Sequence, residues 1–98
     1  MPERSYAVCI LASKRNGTLY VGVTNNLSPR VFQHRAGKGP EFTARHNVKL
    51  LVRYEYYSDV NEAIARQKQL KKWERKRTLK LIEELNPSWA DMYEFLNR

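Results

Sequence analysis

The sequence predicts an α/β fold, a small three-stranded antiparallel sheet flanked by helices. Three observations carry this. Residues 18–24 and 48–57 alternate apolar and polar with the period of a strand, and residues 6–11 are apolar almost throughout. Asn16-Gly17, between the first two of these segments, is a hairpin signal. The second half of the chain changes to apolar spacings of three and four beside a dense basic face, as amphipathic helices do.

Taken in order, Tyr6 to Leu11 (YAVCIL) fits a strand buried on both faces. Ala12 to Asn16 turns back through Asn-Gly onto a strand over Thr18–Thr24. There Leu19, Val21 and Val23 share one face, and Thr18, Tyr20, Gly22 and Thr24 the other. Asn25, Asn26 and Ser28-Pro29 offer helix starts, since their side chains cap orphan amides and proline suits a first helical position. The helix runs from about Leu27 to Ala36, with Leu27 and Val31 facing the core, and Gly37-Lys38-Gly39-Pro40 stops it. That loop does not lie between a strand and a helix start, so it reads as an ordinary connection rather than a phosphate cradle.

Val48 to Tyr57 is the third strand, with Val48, Leu50, Val52, Tyr54 and Tyr56 expected on one side. Asp59 caps the helix that follows, whose inward stripe is Val60, Ile64, Gln67, Leu70 and Trp73 or Glu74. Thr78, or a bend near 74–76, divides this stretch in two, and apolar positions restart at Leu79, Leu81, Ile82 and Leu85. Asn86-Pro87 ends the second helix. Ser88 and Asp91 then open a short closing helix bearing Trp89, Met92, Tyr93 and Leu96. With no internal repeat and no dividing linker, residues 1–98 read as one domain.

Composition narrows the function. Eighteen Lys and Arg against ten Asp and Glu leave a net charge of +8, so a polyanion is the expected partner. No apolar run approaches the ~20 residues that span a bilayer and no signal-peptide pattern opens the chain, so a cytoplasmic, non-membrane protein is expected. A single cysteine, Cys9, excludes an intrachain disulfide and a cysteine metal cluster.

Candidate site residues gather near the second strand. Tyr20 beside the bare Gly22, with Arg30 and His34 four apart on one helix face, forms a candidate phosphate site. Gln67 on an apolar stripe needs a partner. It either bonds to backbone or Tyr20, or marks a site position that has lost its charge. Cys9 reads as a small apolar filler, and His34 has no second ligand at metal-binding spacing. Arg66, Lys71, Lys72 and Arg75 form a surface suited to tracking phosphates, which Lys38, Arg45 and His46 extend.

In this order the features resemble the GIY-YIG nuclease superfamily, in particular its small single-domain bacterial members. The most specific part is GTLYVGVTNNL followed by Arg30 and His34, supported by QLKKW at Gln69–Trp73 and LNPSW at Leu85–Trp89. The likeness runs from Tyr6 to about Tyr93. It implies a nucleic-acid partner, DNA ahead of RNA, and phosphodiester hydrolysis that depends on a divalent metal, Mg or Mn. It places Tyr20 and Gly22 in the second half of the signature, Arg30 at the catalytic arginine and His34 at the histidine one turn later. In the family a tyrosine hydroxyl helps deprotonate the attacking water, the arginine steadies the phosphate and a glutamate holds the metal.

Two positions depart from that pattern. Cys9 stands where the first-strand tyrosine belongs, and Gln67 where the metal-binding glutamate belongs. A thiol is shorter than a phenol and a weaker hydrogen-bond former. Glutamine keeps the shape of glutamate without the charge that a hard cation needs. Losing a positioned acid–base group alone typically costs ~10²–10⁴-fold in rate. Glu74 lies two turns on, roughly 10 Å away, and does not replace the missing carboxylate; Glu55 and Glu62 stay open. The expectation is therefore a GIY-YIG-type domain with impaired hydrolysis. The alternatives are a non-catalytic nucleic-acid-binding module and, behind it, a basic adaptor for protein or an anionic membrane.

Overall fold

The computed structural model describes residues 5–37 and 44–97, so the expected Gly37–Pro40 stop is described only at Gly37, and Lys38 lies outside the described residues. Strand β1 (Tyr6–Ala12) is central, with β2 (Leu19–Thr24) and β3 (Leu50–Tyr57) paired antiparallel on either side. Residues 7–12 are all buried, because helices cover both faces of the sheet. Each large apolar side chain sealed there, such as Ile10 or Leu11, stabilises the fold by ~1.5–3 kcal/mol relative to exposure. The hairpin forms, but its turn is centred one residue earlier than a two-residue Asn-Gly loop. Arg15 and Asn16 are the central residues: Asn16 takes φ 58°, and the Gly17 amide donates to the Lys14 carbonyl at 2.9 Å.

Helix α1 (Leu27–Arg35) and a 3₁₀ helix (Met92–Asn97) cover the face of Ala7, Cys9 and Leu11. Helices α2 (Val60–Lys72) and α3 (Arg75–Leu85) cover the face of Val8, Ile10 and Ala12. The expected split of β2 holds: Leu19, Val21 and Val23 pack toward α2 and α3, and Tyr20 packs toward α1.

The third strand departs from its expected parity. It starts at Leu50 rather than Val48, and Ile10 pairs with Arg53 while Leu11 pairs with Leu51, so Val52 is an extra, bulged residue. Beyond a bulge the alternation inverts. Leu50 and Val52 pack on the α2–α3 side, but Val48, Leu51 and Tyr54 pack on the α1 side.

Capping explains the helix bounds. Asn26 occupies the N-cap of α1 without a side-chain bond, and Pro29 falls in the first turn rather than opening it. Leu27 and Val31 enter the core as expected, and Gly37 ends the turn at φ 75°. Asp59 caps α2 by accepting the Asn61 amide at 2.9 Å. The buried stripe of α2 is Ala63 and Leu70 with Gln67 half-buried between them. Val60 and Ile64, expected inside, are each 36% exposed, because the small Ala63 is the residue that meets the sheet. The helix breaks at Trp73-Glu74, both extended, with Trp73 stacked under Arg77 at 3.9 Å. On α3, Thr78, Leu81 and Ile82 are buried, while Leu85 is 72% exposed, contrary to expectation.

The C-terminal segment also differs from a single helix opened at Ser88. Trp89 takes φ 58° and sends its ring to the α2–α3 face, where Nε1 donates to Glu83 Oε2 at 2.8 Å. Buried Asn86 holds this turn, its Nδ2 donating to the Val52 and Ala90 carbonyls at 3.1 and 2.9 Å. The helix proper starts at Met92, with Asp91 accepting the Tyr93 amide at 3.1 Å, and carries Met92, Tyr93 and Leu96 to the opposite face.

Candidate functional site

Because Tyr20 and Gly22 are two apart on β2, their side-chain positions share the α1 face of the sheet. The Tyr20 ring leans along the strand, and a Cβ at Gly22 would stand 2.9 Å from its Cε2. From α1, His34 meets the same ring, with centroids 5.4 Å apart and planes tilted by 46°. Arg30 lies one turn before His34, half-buried, and its charge acts on both His34 and Cys9. Cys9 is the cross-strand partner of Gly22. The structure thus brings Cys9, Tyr20, Gly22, Arg30 and His34 together.

The electrostatics follow from burial and one cation. Burial lowers the His34 pKa and Arg30 lowers it further, so the imidazole is neutral near pH 7. Burial pushes the Cys9 thiol up to about 11, against smaller opposing effects from the Gly22 backbone and Arg30. Cys9 is therefore protonated at neutral pH and a poor nucleophile, in keeping with a filler.

Gln67 approaches β2 from the other face. Its Nε2 donates to the Val21 carbonyl at 3.5 Å, a long bond, on the residue next to Tyr20. Of the two readings of Gln67, the backbone bond is present. Along the same edge strand runs a groove of about 430 Å³, lined by Tyr20, Val21, Leu70, Lys71 and Trp73 among others. Lys71 therefore adjoins the site, and Lys72 is exposed on the same helix, as Arg45 is beyond α1.

Two of the basic residues, Arg66 and Arg75, are held by acceptors within the protein, although Arg75 also lines the groove. Arg66 donates to Glu55 through Nε at 2.9 Å and Nη2 at 3.2 Å, and to Gln69 through Nη1 at 2.6 Å. Arg75 clasps the hairpin, with Nη2 at 2.7 and 2.6 Å from the Asn16 and Gly17 carbonyls. Sequence could not separate them from their neighbours, since the Arg75 partners lie more than fifty residues away along the chain.

A model of the GIY-YIG catalytic domain matches residues 5–80. The chain belongs to the GIY-YIG family. It is similar to a UPF0213 protein of Staphylococcus haemolyticus, 37% identical over 70 residues covering 71% of this chain and 85% of that one. A UPF0213 protein of Bacillus pumilus is 34% identical over 70 residues, 71% of each chain. The fold matches the solution NMR structure of a UPF0213 protein from Bacillus halodurans with a TM-score of 0.56 at 23% identity, over 90% of this chain and 93% of that one. The GIY-YIG domain is thus of a nuclease-type family. Among the described residues, no helix is long and apolar enough to cross a membrane.

The divalent metal implied by the family resemblance does not fit the residues present in this GIY-YIG domain. Position 67 offers a neutral amide turned to a backbone carbonyl. Among the described residues, no group of three His, Cys, Asp or Glu is arranged to hold a metal ion. Glu55 is no substitute. It lies on β3, across the sheet from β2, and its oxygens already accept from Arg53, Tyr57 and Arg66. Glu62 is exposed in the first turn of α2, and Glu74 is exposed at the N-cap of α3.

Proposed function

We propose that this chain is a nucleic-acid-directed GIY-YIG domain that keeps the phosphate-holding part of its site and is impaired in metal-dependent phosphodiester hydrolysis. Binding rests on Arg30, whose charge acts on the His34 that packs against Tyr20, and on the net charge of +8. It rests also on Lys71 in the groove along the adjoining edge, with the exposed Lys72 next to it. Arg30 supplies positive charge where a phosphate gains negative charge during displacement, and the Tyr20 hydroxyl orients the attacking water. His34, neutral and packed on the Tyr20 ring, holds that ring in place.

The observation that carries the impaired reading is Gln67, whose amide faces Val21 next to Tyr20 in place of a carboxylate. Nicking of supercoiled plasmid in Mg²⁺ or Mn²⁺ tests it. The native chain is expected to give little product above a metal-free control. Gln67→Glu is expected to raise the rate by ~10²-fold or more, the scale of a restored catalytic group. Cys9→Tyr added to Gln67→Glu tests the second departure, although the new ring must displace its neighbours in a position now 2% exposed. Native cleavage as fast as that of Gln67→Glu, or inert variants that remain folded, would overturn the diagnosis of the site.

A further inference from the structure

At the end of the sheet away from the hairpin, on the face that carries Cys9, a second cleft of about 360 Å³ opens. Its size falls among small-molecule sites, roughly 300–1,000 Å³. Tyr54 and Tyr56 enter it from β3, their rings 5.5 Å apart and edge to face, and Phe95 enters from the C-terminal 3₁₀ helix. Asn25, Asn26 and Ser28, at the junction of β2 and α1, add amide and hydroxyl groups to its wall. Tyr56 and Phe95 are 55% and 50% exposed, so two large rings face water.

Among the described residues, none that lines this cleft carries a charge, in a chain whose net charge is +8. Such a surface suits a flat, neutral group with polar edges rather than a phosphate. It also adjoins the phosphate site. Tyr54 is the cross-strand partner of Cys9, and Leu27, which lines the cleft, stands one turn before Arg30 on α1.

We propose that the cleft receives one unstacked nucleobase of a strand whose phosphate is held at Arg30. This deepens the nucleic-acid reading above and rests on it. Bases of any identity stack on aromatic rings, and asparagine amides match the donor–acceptor pairs on base edges. A base inside a duplex cannot enter, so the domain prefers single-stranded or locally opened nucleic acid.

The test is titration of the full chain into a short single-stranded oligonucleotide carrying a fluorescent adenine analogue, over a range of salt. Binding is expected to quench the analogue and to exceed binding of a matched duplex. Tyr56→Ala and Phe95→Ala, at exposed positions that leave the core intact, are each expected to weaken binding about 5- to 100-fold. The salt slope should be unchanged, because no phosphate contact is lost. Tyr56→Phe, which keeps the ring, should bind as the native chain does. An abasic strand should bind the native chain more weakly and be indifferent to Tyr56→Ala. Salt-dependent binding that treats abasic and intact strands alike, or ignores both alanine changes, would overturn the cleft assignment and leave the proposed function standing. Absence of salt-dependent binding to any strand would overturn both. Selective quenching of a labelled aromatic peptide, with no response from the oligonucleotide, would overturn the assignment in favour of a protein partner.

Discussion

The ring of Tyr20 lies along β2 over Gly22, so close that a Cβ on that glycine would sit 2.9 Å from Cε2. The glycine is thus a condition of the tyrosine's position, and through the 5.4 Å ring contact the tyrosine is fixed against His34. Gly22→Ala is expected to push the ring off the strand while changing the unfolding free energy by no more than ~1 kcal/mol, since the ring can move outward. In the Gln67→Glu background the cleavage rate should fall by up to ~10²-fold, the cost of a misplacement on the ångström scale. Plasmid nicking beside denaturant titration checks both halves. An unaltered rate would mean that the Tyr20 position does not matter to the chemistry.

Lys71 and Arg75 lie one turn apart in sequence yet have different tasks in the structure. Both line the groove beside Tyr20, but the Arg75 guanidinium is bound to the hairpin carbonyls. Lys71→Ala is expected to weaken nucleic-acid binding and to reduce the salt slope by about 1. Arg75→Ala should leave that slope alone, cost roughly 1 kcal/mol of stability and speed amide exchange across residues 13–18. Equal effects of the two changes on the salt slope would contradict the division.

Glu55 anchors the ion-pair network on the α2–α3 face. Burial pushes its carboxyl up, but hydrogen bonds from Arg66, Tyr57 and Arg53 outweigh this and bring it from 4.5 down to about 2. The folded pKa is below the unfolded one, so this contribution is present above pH ~4.5 and is lost as pH falls toward 2. Glu55→Gln is expected to lower stability at pH 7 by ~2–3 kcal/mol and to flatten the decline of stability between pH 4.5 and 2. Chemical denaturation over a pH series measures both. An unchanged acid limb in the variant would place the titration elsewhere.

Much of this molecule is legible in one dimension. The apolar run of β1, the alternation of β2, the hairpin between them and the Asp59 cap are local preferences, and each holds in the structure. The spacing of Tyr20, Gly22, Arg30 and His34 carries the family resemblance, and the same spacing places them around one patch of the sheet. The basic composition likewise needs no fold to be read.

What the sequence could not determine is decided by partners distant along the chain. A single bulged residue, Val52, reverses the parity of everything after it on β3, so Tyr54 faces α1 and adjoins Cys9. No composition signal marks that bulge, because it arises where β3 must match a neighbour more than forty residues earlier. The fates of Arg66 and Arg75 were hidden for the same reason, as a guanidinium is satisfied by whichever acceptor the fold brings near. Local sequence determined which elements form and which residue types line the site. Only tertiary packing decided which side chains are free to meet a ligand, because hydrogen bonding and burial are settled by neighbours in space.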